Sequence, residues 1–154
     1  MRQVQREHSV QSVEISTIAH ATDDLDKVQH ALSTILPESL KQRQLFTRRY
    51  LEGHHRNPIV TFDTKLTKTA EIAEFTDHLM AHLARIERLS IERDLDLHSD
   101  AEGNLYMRID KQQAYRGSVE LGIEDPIRVR IKFSRLSGDP KKLMKQLLES
   151  ERTD

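Results

Sequence analysis

Apolar and polar positions alternate with period two in some stretches and recur at helical spacing in others, and the change of period marks the elements. In HSVQSVEISTIAHA, Val13, Ile15 and Ala19 share one side, which predicts a first strand. In TDDLDKVQHALSTILP, Leu25, Val28, Leu32, Ile35 and Leu36 fall at helical spacing. Thr22 or Asp23 is placed to cap that helix, Asp23, Asp24 and Asp26 suit the positive end of its dipole, and Pro37 follows its end. PESLKQRQ reads as a loop. LFTRRYLEG and NPIVTFDTKL read as two strands joined through GHHRN in a hairpin.

TKTAEIAEFTDHLMAHLARIERL is the longest helical pattern, with a stripe of Ile72, Phe75, Leu79, Leu83 and Ile86. A break or a second short helix is expected around Ser90 to Leu97. SDAEGN is a turn. In LYMRIDKQQAYRG, Leu105, Met107 and Ile109 alternate with Tyr106 and Arg108 as in a half-buried strand; Asp110 then caps a short helical segment that Gly117 closes. DPIRVRIKF is the clearest strand, with Val129, Ile131 and Phe133 facing one way and Arg128, Arg130 and Lys132 the other. SGDPKKLMKQLLES is a last helix, capped by Asp139 with Pro140 at its first position. Strands adjoining strands favour an α+β fold: a single domain over residues 1–154, with a core from about residue 10 to residue 150, an antiparallel sheet and helices packed on one face.

Composition changes this picture little. The 154 residues suit one domain; 36% are hydrophobic, 32% are charged and none is tryptophan, which predicts a thin core under a heavily solvated surface. The absence of cysteine excludes disulfides, thiolate metal sites and a cysteine nucleophile. No apolar run reaches the length of a membrane span, and MRQVQREH lacks the hydrophobic region of a signal peptide, so a soluble cytoplasmic protein with no membrane partner is expected. Charge changes the picture more. The formal net charge is −1, yet residues 61–100 carry five Lys/Arg against nine Asp/Glu, and residues 105–135 carry seven against four. Such segregation along the chain can become two differently charged faces, and local patches govern encounter more than net charge does.

The candidate chemistry sits in the basic part. On a strand, Arg128, Arg130 and Lys132 project from one face at roughly 7 Å intervals, a spacing suited to successive phosphates. Tyr106 and Arg108 can share that face from a neighbouring strand, with Lys111 and Arg116 at its rim. A basic surface with an aromatic ring free to stack is a platform for single-stranded RNA; the plain alternative is a solvated sheet face or a charge-protected edge strand. In GHHRNP, Arg56 and Asn57 offer donors to phosphate, while Gly53 and Pro58 fit an ordinary turn. His78 and His82, four apart with Glu74 one turn earlier, have a metal-compatible spacing, but HLMAH is not the HExxH of metalloproteases and no fourth ligand is identified. No phosphate-binding glycine loop, nucleophile elbow or dinucleotide fingerprint occurs, and only five glycines are present. The expectation is no catalysis, no cofactor and no metal.

AHATDDLDKVQHALSTILP, EGHHRNPIVTFDTKL and GNLYMRIDKQQAYRGSVELGIEDPIRVRIKF together resemble the archaeal RNA-binding-domain family described as predicted exosome subunits, from about Val13 to Phe133. The most specific piece, LYMRIDKQQA, resembles that family's arginine-x-aspartate-lysine-glutamine segment. The resemblance implies a fold similar to ribosomal protein five of the large subunit. It also implies RNA contacts from Arg108 and Lys111 to phosphate and from Gln112 to a base or ribose, with Asp110 orienting the turn. The chain departs from the family after Gly53, where His54, His55 and Arg56 replace a small aromatic-glycine turn. The function so implied is a non-catalytic RNA-binding module, an accessory factor in archaeal RNA processing or exosome-related degradation, with RNA and RNA-processing proteins as partners. The alternative is a protein-interaction or homodimerising module of the same fold that does not bind RNA.

Overall fold

Val129, Ile131 and Phe133 are at most 1% exposed while Arg128 and Arg130 stand in solvent, so the alternation in DPIRVRIKF is the alternation of a sheet with one buried face. Lys132 lies half-buried. The computed structural model describes residues 9–150, and at His54 the backbone alone. Its five strands are β1 (Val10–Ala19), β2 (Thr47–Glu52), β3 (Pro58–Leu66), β4 (Asn104–Ile109) and β5 (Ile127–Phe133). They form one sheet in the order β2-β3-β1-β5-β4, with every neighbouring pair antiparallel. The first strand in sequence is thus the central one in space.

Six helices supply the other side of the core: α1 (Leu25–Thr34), α2 (Glu38–Lys41), α3 (Thr69–His82), α4 (Arg85–Arg93), α5 (Lys111–Tyr115) and α6 (Pro140–Glu149). Helix α3 packs against β1, α6 against β5, and α1 against α5. Phe75, Leu79 and Leu83 meet Val13, Ile15, Phe62 and Ile131 in one continuous cluster. This is the α+β architecture that the two hydrophobic periods predict.

Four local expectations are corrected. Asp24, not Thr22 or Asp23, caps α1 by accepting from the Asp26 N–H; Asp23 instead accepts from the His20 N–H. PESLKQRQ holds the single turn α2, anchored by buried Leu40. A short 3-10 turn over Leu95–Leu97 follows α4, as expected around Ser90 to Leu97, but the long helical pattern also breaks earlier, at Leu83 and Ala84. There the Leu83 carbonyl accepts from the buried Arg88 guanidinium, whose other donors satisfy the Leu148 and Ser150 carbonyls at the end of α6. The break turns α4 away, so Ile86 leaves the apolar stripe and is 77% exposed.

The two sheet edges are protected differently. On β4, the Tyr106 N–H donates to the His98 carbonyl and the Gly122 N–H to the Arg108 carbonyl, so flanking segments cover the strand. On β2 every residue is exposed, and Arg48, Arg49 and Glu52 oppose pairing with another strand.

Candidate nucleic-acid interface

Register decides which side chains meet on the open face. Across the β4–β5 ladder, Arg108 stands opposite Arg128, Tyr106 opposite Arg130, and Asn104 opposite Lys132. On the other side of β5, Ser16 faces Arg128, Glu14 faces Arg130 and Ser12 faces Lys132. Directly opposed side chains lie about 5 Å apart at Cβ, and successive positions on one face about 7 Å apart. The expected cations of β4 and β5 therefore form one compact group.

Their surroundings differ. Arg130 pairs with Glu14. Among the described residues, Arg108, Arg128 and Lys132 enter no ion pair. Placing Arg108 directly across from Arg128 costs stability, since like charges opposed on a ladder repel. Beyond β1 the face is mixed: Lys65 of β3 lies opposite Glu14, and Asp63 of β3 pairs with Arg49 of β2 at 3.2 Å.

Tyr106 is 41% exposed and held in place. Its hydroxyl donates to Asp100 Oδ2 at 2.8 Å, and the same carboxylate accepts from the Asn104 side chain and from the Glu102 and Asn104 N–H groups. Partial burial pushes the Asp100 carboxyl up, but these four donors outweigh it and hold it at about 2. The tyrosine is pushed above its usual range chiefly by that hydrogen bond. Sequence reasoning missed both Asp100 and Glu14. The alternation around Val13 and Ile15 is the signal that sets Glu14 on the open face, but its partner is defined only once β1 pairs with β5.

The remaining expected residues are not all part of this group. Lys111 is a correction to its assignment as an outward phosphate donor: it is 6% exposed, donates to the Ile18 carbonyl at 2.6 Å and pairs with Asp125 at 2.9 Å. It ties the 118–126 segment to the end of β1. Gly122 belongs to the same arrangement, for a Cβ there would come within 2.8 Å of Asp110 Cα. Asp110 caps α5 through the Gln113 N–H, as the sequence predicts. Gln112 on α5 and Arg116 at its C-cap are exposed beside Tyr115, whose ring meets His30 edge-on and lies under the Lys27 ammonium at 5.5 Å. Arg56 and Asn57 are exposed at the β2–β3 turn, where His55 and Arg56 adopt left-handed backbone conformations. That turn lies at the same end of the sheet as α5, two strand spacings from β5, or about 10 Å.

The histidines do not converge on a metal. His78 Nε2 lies 3.0 Å from the Thr34 carbonyl, His82 Nδ1 lies 2.8 Å from the His78 carbonyl, and Glu74 accepts from Ser39. The two rings stack at 4.1 Å, and burial is the main cause that lowers the His78 pKa. His20, Asp23 and Asp125 come together at the start of α1, but the Lys111 ammonium already occupies the Asp125 carboxylate. Among the described residues, no helix is long and apolar enough to cross a membrane.

A family model described as RNA binding matches residues 12–133. An RNA-binding protein of Pyrococcus abyssi is 35% identical over 123 residues, which cover 79% of this chain and 80% of that one. The crystal structure of a DUF54 protein from Archaeoglobus fulgidus matches with a TM-score of 0.74 at 30% identity, covering 88% of this chain and 95% of its own. A DUF54 protein from Methanothermobacter thermautotrophicus matches with a TM-score of 0.71 at 25% identity, covering 92% and 99%.

Proposed function

The chain belongs to the RNA-binding family whose model spans residues 12–133, and from that premise we propose that it is a non-catalytic module that takes single-stranded RNA on the open half-face of β4 and β5. The observation that carries this reading is the opposition of Arg108 and Arg128 without an acidic partner among the described residues. A fold gains nothing from that arrangement, whereas a phosphate between the two guanidiniums relieves the repulsion and accepts from both. Tyr106, fixed at its hydroxyl end by Asp100, leaves part of its ring for stacking on a base. Gln112 and Arg116, and farther off Arg56 and Asn57, are placed to extend contacts beyond one end of the strands. The fuller reading is a cytoplasmic accessory factor in RNA processing or exosome-related degradation, with a fold like that of ribosomal protein five of the large subunit.

The rival, a protein-interaction or homodimerising module, draws on Tyr50 and Leu51, which are 70% and 50% exposed on the open edge strand β2. Arg48 and Arg49 on the same strand count against self-pairing.

Titration of labelled single-stranded RNA at several salt concentrations tests the proposal. Each phosphate neutralised on a single strand contributes about 0.7 to the slope of log affinity against log salt. Changing Arg108, Arg128 and Lys132 together to glutamine is expected to flatten that slope by about 2. The exposed Lys141 and Lys142 of α6, changed in the same way, are expected to leave it unaltered. Equal losses from both sets overturn the mapped surface, and no binding by the parent protein at low salt overturns RNA binding itself.

A further inference from the structure

Tyr115 stands at the end of α5, exposed and outside the apolar cluster that forms the core, and its neighbours are polar. Helix α1 packs along α5 with the side that carries Lys27, His30 and Thr34, while Val28, Ala31 and Leu32 face the core. Thr34 ties the two helices together by donating to the Ala114 carbonyl. His30 meets the Tyr115 ring edge-on with centroids 5.5 Å apart, and the Lys27 ammonium lies 5.5 Å from the ring centre. Gln112, three residues before Tyr115 and so on the same side of α5, adds an amide, and Arg116 at the C-cap adds a guanidinium. Among the described residues, the polar ends of Lys27, His30, Gln112, Tyr115 and Arg116 make no hydrogen bond or ion pair. Tyr106, Lys111 and Arg130, by contrast, are each committed to a carboxylate.

Charge around the ring limits what it can take. Lys27 and Arg116 are its cations. Of the acids at the start of α1, Asp23 and Asp24 accept from the His20 and Asp26 N–H groups, and Asp26, one turn before His30, stands in solvent. Asp110 caps α5. On the 118–126 segment, Lys111 neutralises Asp125 and Glu120 accepts from Ser118, which leaves Glu124 exposed. Two cations among these acids do not hold a run of phosphates, but they suit one. We propose that the α1–α5 groove is a second nucleotide site: a base lies on Tyr115, within reach of His30 and Gln112, and its phosphate meets Arg116. The inference rests on the RNA-binding reading above and adds a separate site, off the sheet, for a nucleotide of the same strand. Ile109 and Asp110 are extended and Lys111–Tyr115 is helical, so at most about 14 Å of chain path separates Arg108 from Tyr115. That is about two of the 7 Å phosphate intervals along β5. The strand leaves the sheet past Arg108 and turns round its end onto α1 and α5.

Two labelled single strands separate this site from the sheet: a tetranucleotide, whose phosphates match the span of about 14 Å from Lys132 to Arg128, and a decanucleotide. Tyr115→Leu is expected to weaken the decanucleotide about tenfold, the loss of one base stacked on an aromatic ring. It should leave the tetranucleotide unchanged and keep the parent's salt slope. Tyr115→Phe retains the ring and is expected to bind as the parent does. Arg116→Gln is expected to flatten the decanucleotide's salt slope by about 0.7. Tyr50→Leu, at an exposed tyrosine on β2, is the control and should change nothing. Thermal melts verify each fold, and photocrosslinking of a thiouridine-labelled decanucleotide to the unaltered protein is expected to mark α5 as well as β4. Unchanged decanucleotide binding by Tyr115→Leu, or crosslinks on β4 alone, overturns the second site and leaves the RNA-binding reading standing. Equal weakening of both strands shows that Tyr115 acts through the fold, which also overturns the site. Failure of the parent to bind either strand at low salt overturns both readings.

Discussion

Asp100 is where one side chain sets both stability and geometry. Four donors converge on its carboxylate, and one of them is the Tyr106 hydroxyl of the open face. Its folded-state pKa of about 2 lies below its ordinary value of 3.8. The ionised form is thus bound more tightly in the folded state, and the stability it confers is complete above the unfolded value and disappears as pH falls from about 4 toward 2. Comparing the parent with Asp100→Asn by chemical denaturation, the stability gap is expected to be widest near neutrality and to shrink steadily below pH 4. A gap that stays constant to pH 2 contradicts the assignment. Sequence alone does not reveal this residue, because a carboxylate in SDAEGN looks like any turn former until Asn104 and Tyr106 are folded back onto it. Lys111 was misread for a related reason. Its partner Asp125 lies beyond a whole intervening helix and loop, so a cation in a polar segment gave no sign that it was buried.

Among elements, β5 was fully legible, because a strict alternation that includes three cations permits only one register against a core. Strand β4 was legible too, but the meeting of its Arg108 with Arg128 was not, since register between strands is a tertiary fact. That meeting makes a prediction opposite in sign to the usual cost of substitution. Arg108→Gln removes a cross-strand repulsion, so urea denaturation is expected to show unchanged or higher stability, by up to about 1 kcal/mol. RNA titration of the same variant is expected to show a salt slope flatter by about 0.7. Loss of stability together with unchanged binding argues for a structural role of this arginine. The α3–α4 break was not legible at its true position, because HLARIERL contains no proline or glycine to announce it. Arg88, within that stretch, links the Leu83 carbonyl to the end of α6, and it is this distant partner, Leu148, that the local sequence does not announce.

For the molecule as a whole, a net charge near zero conceals a sheet surface divided by strand: basic over β4 and β5, mixed toward β3 and β2. The composition-level excess of cations in residues 105–135 foretold the sign of that patch, not its border, which depends on the order β2-β3-β1-β5-β4. The same order makes cooperativity depend on a late segment. A chain ending at Pro126 lacks β5 and leaves β1 joined only to β3. Such a chain is expected to lose its sigmoidal thermal transition by circular dichroism, and retention of a sharp transition shows that the β1–β3 side folds independently.

The central place of β1 also has a consequence in time. During synthesis β1 emerges first, finds β3 after an intermediate delay, and keeps its other edge unpaired until β5 appears. At about 5–20 residues per second this wait is on the order of ten seconds. Throughout it, the nascent chain carries an apolar strand with one unsatisfied backbone edge, a template for aggregation with a neighbouring chain. Glu14 stands in the middle of that strand, opposite Lys65 once β3 has paired, and meets Arg130 only when β5 arrives. Until then the carboxylate acts as a gatekeeper that keeps one unfinished sheet from growing onto another.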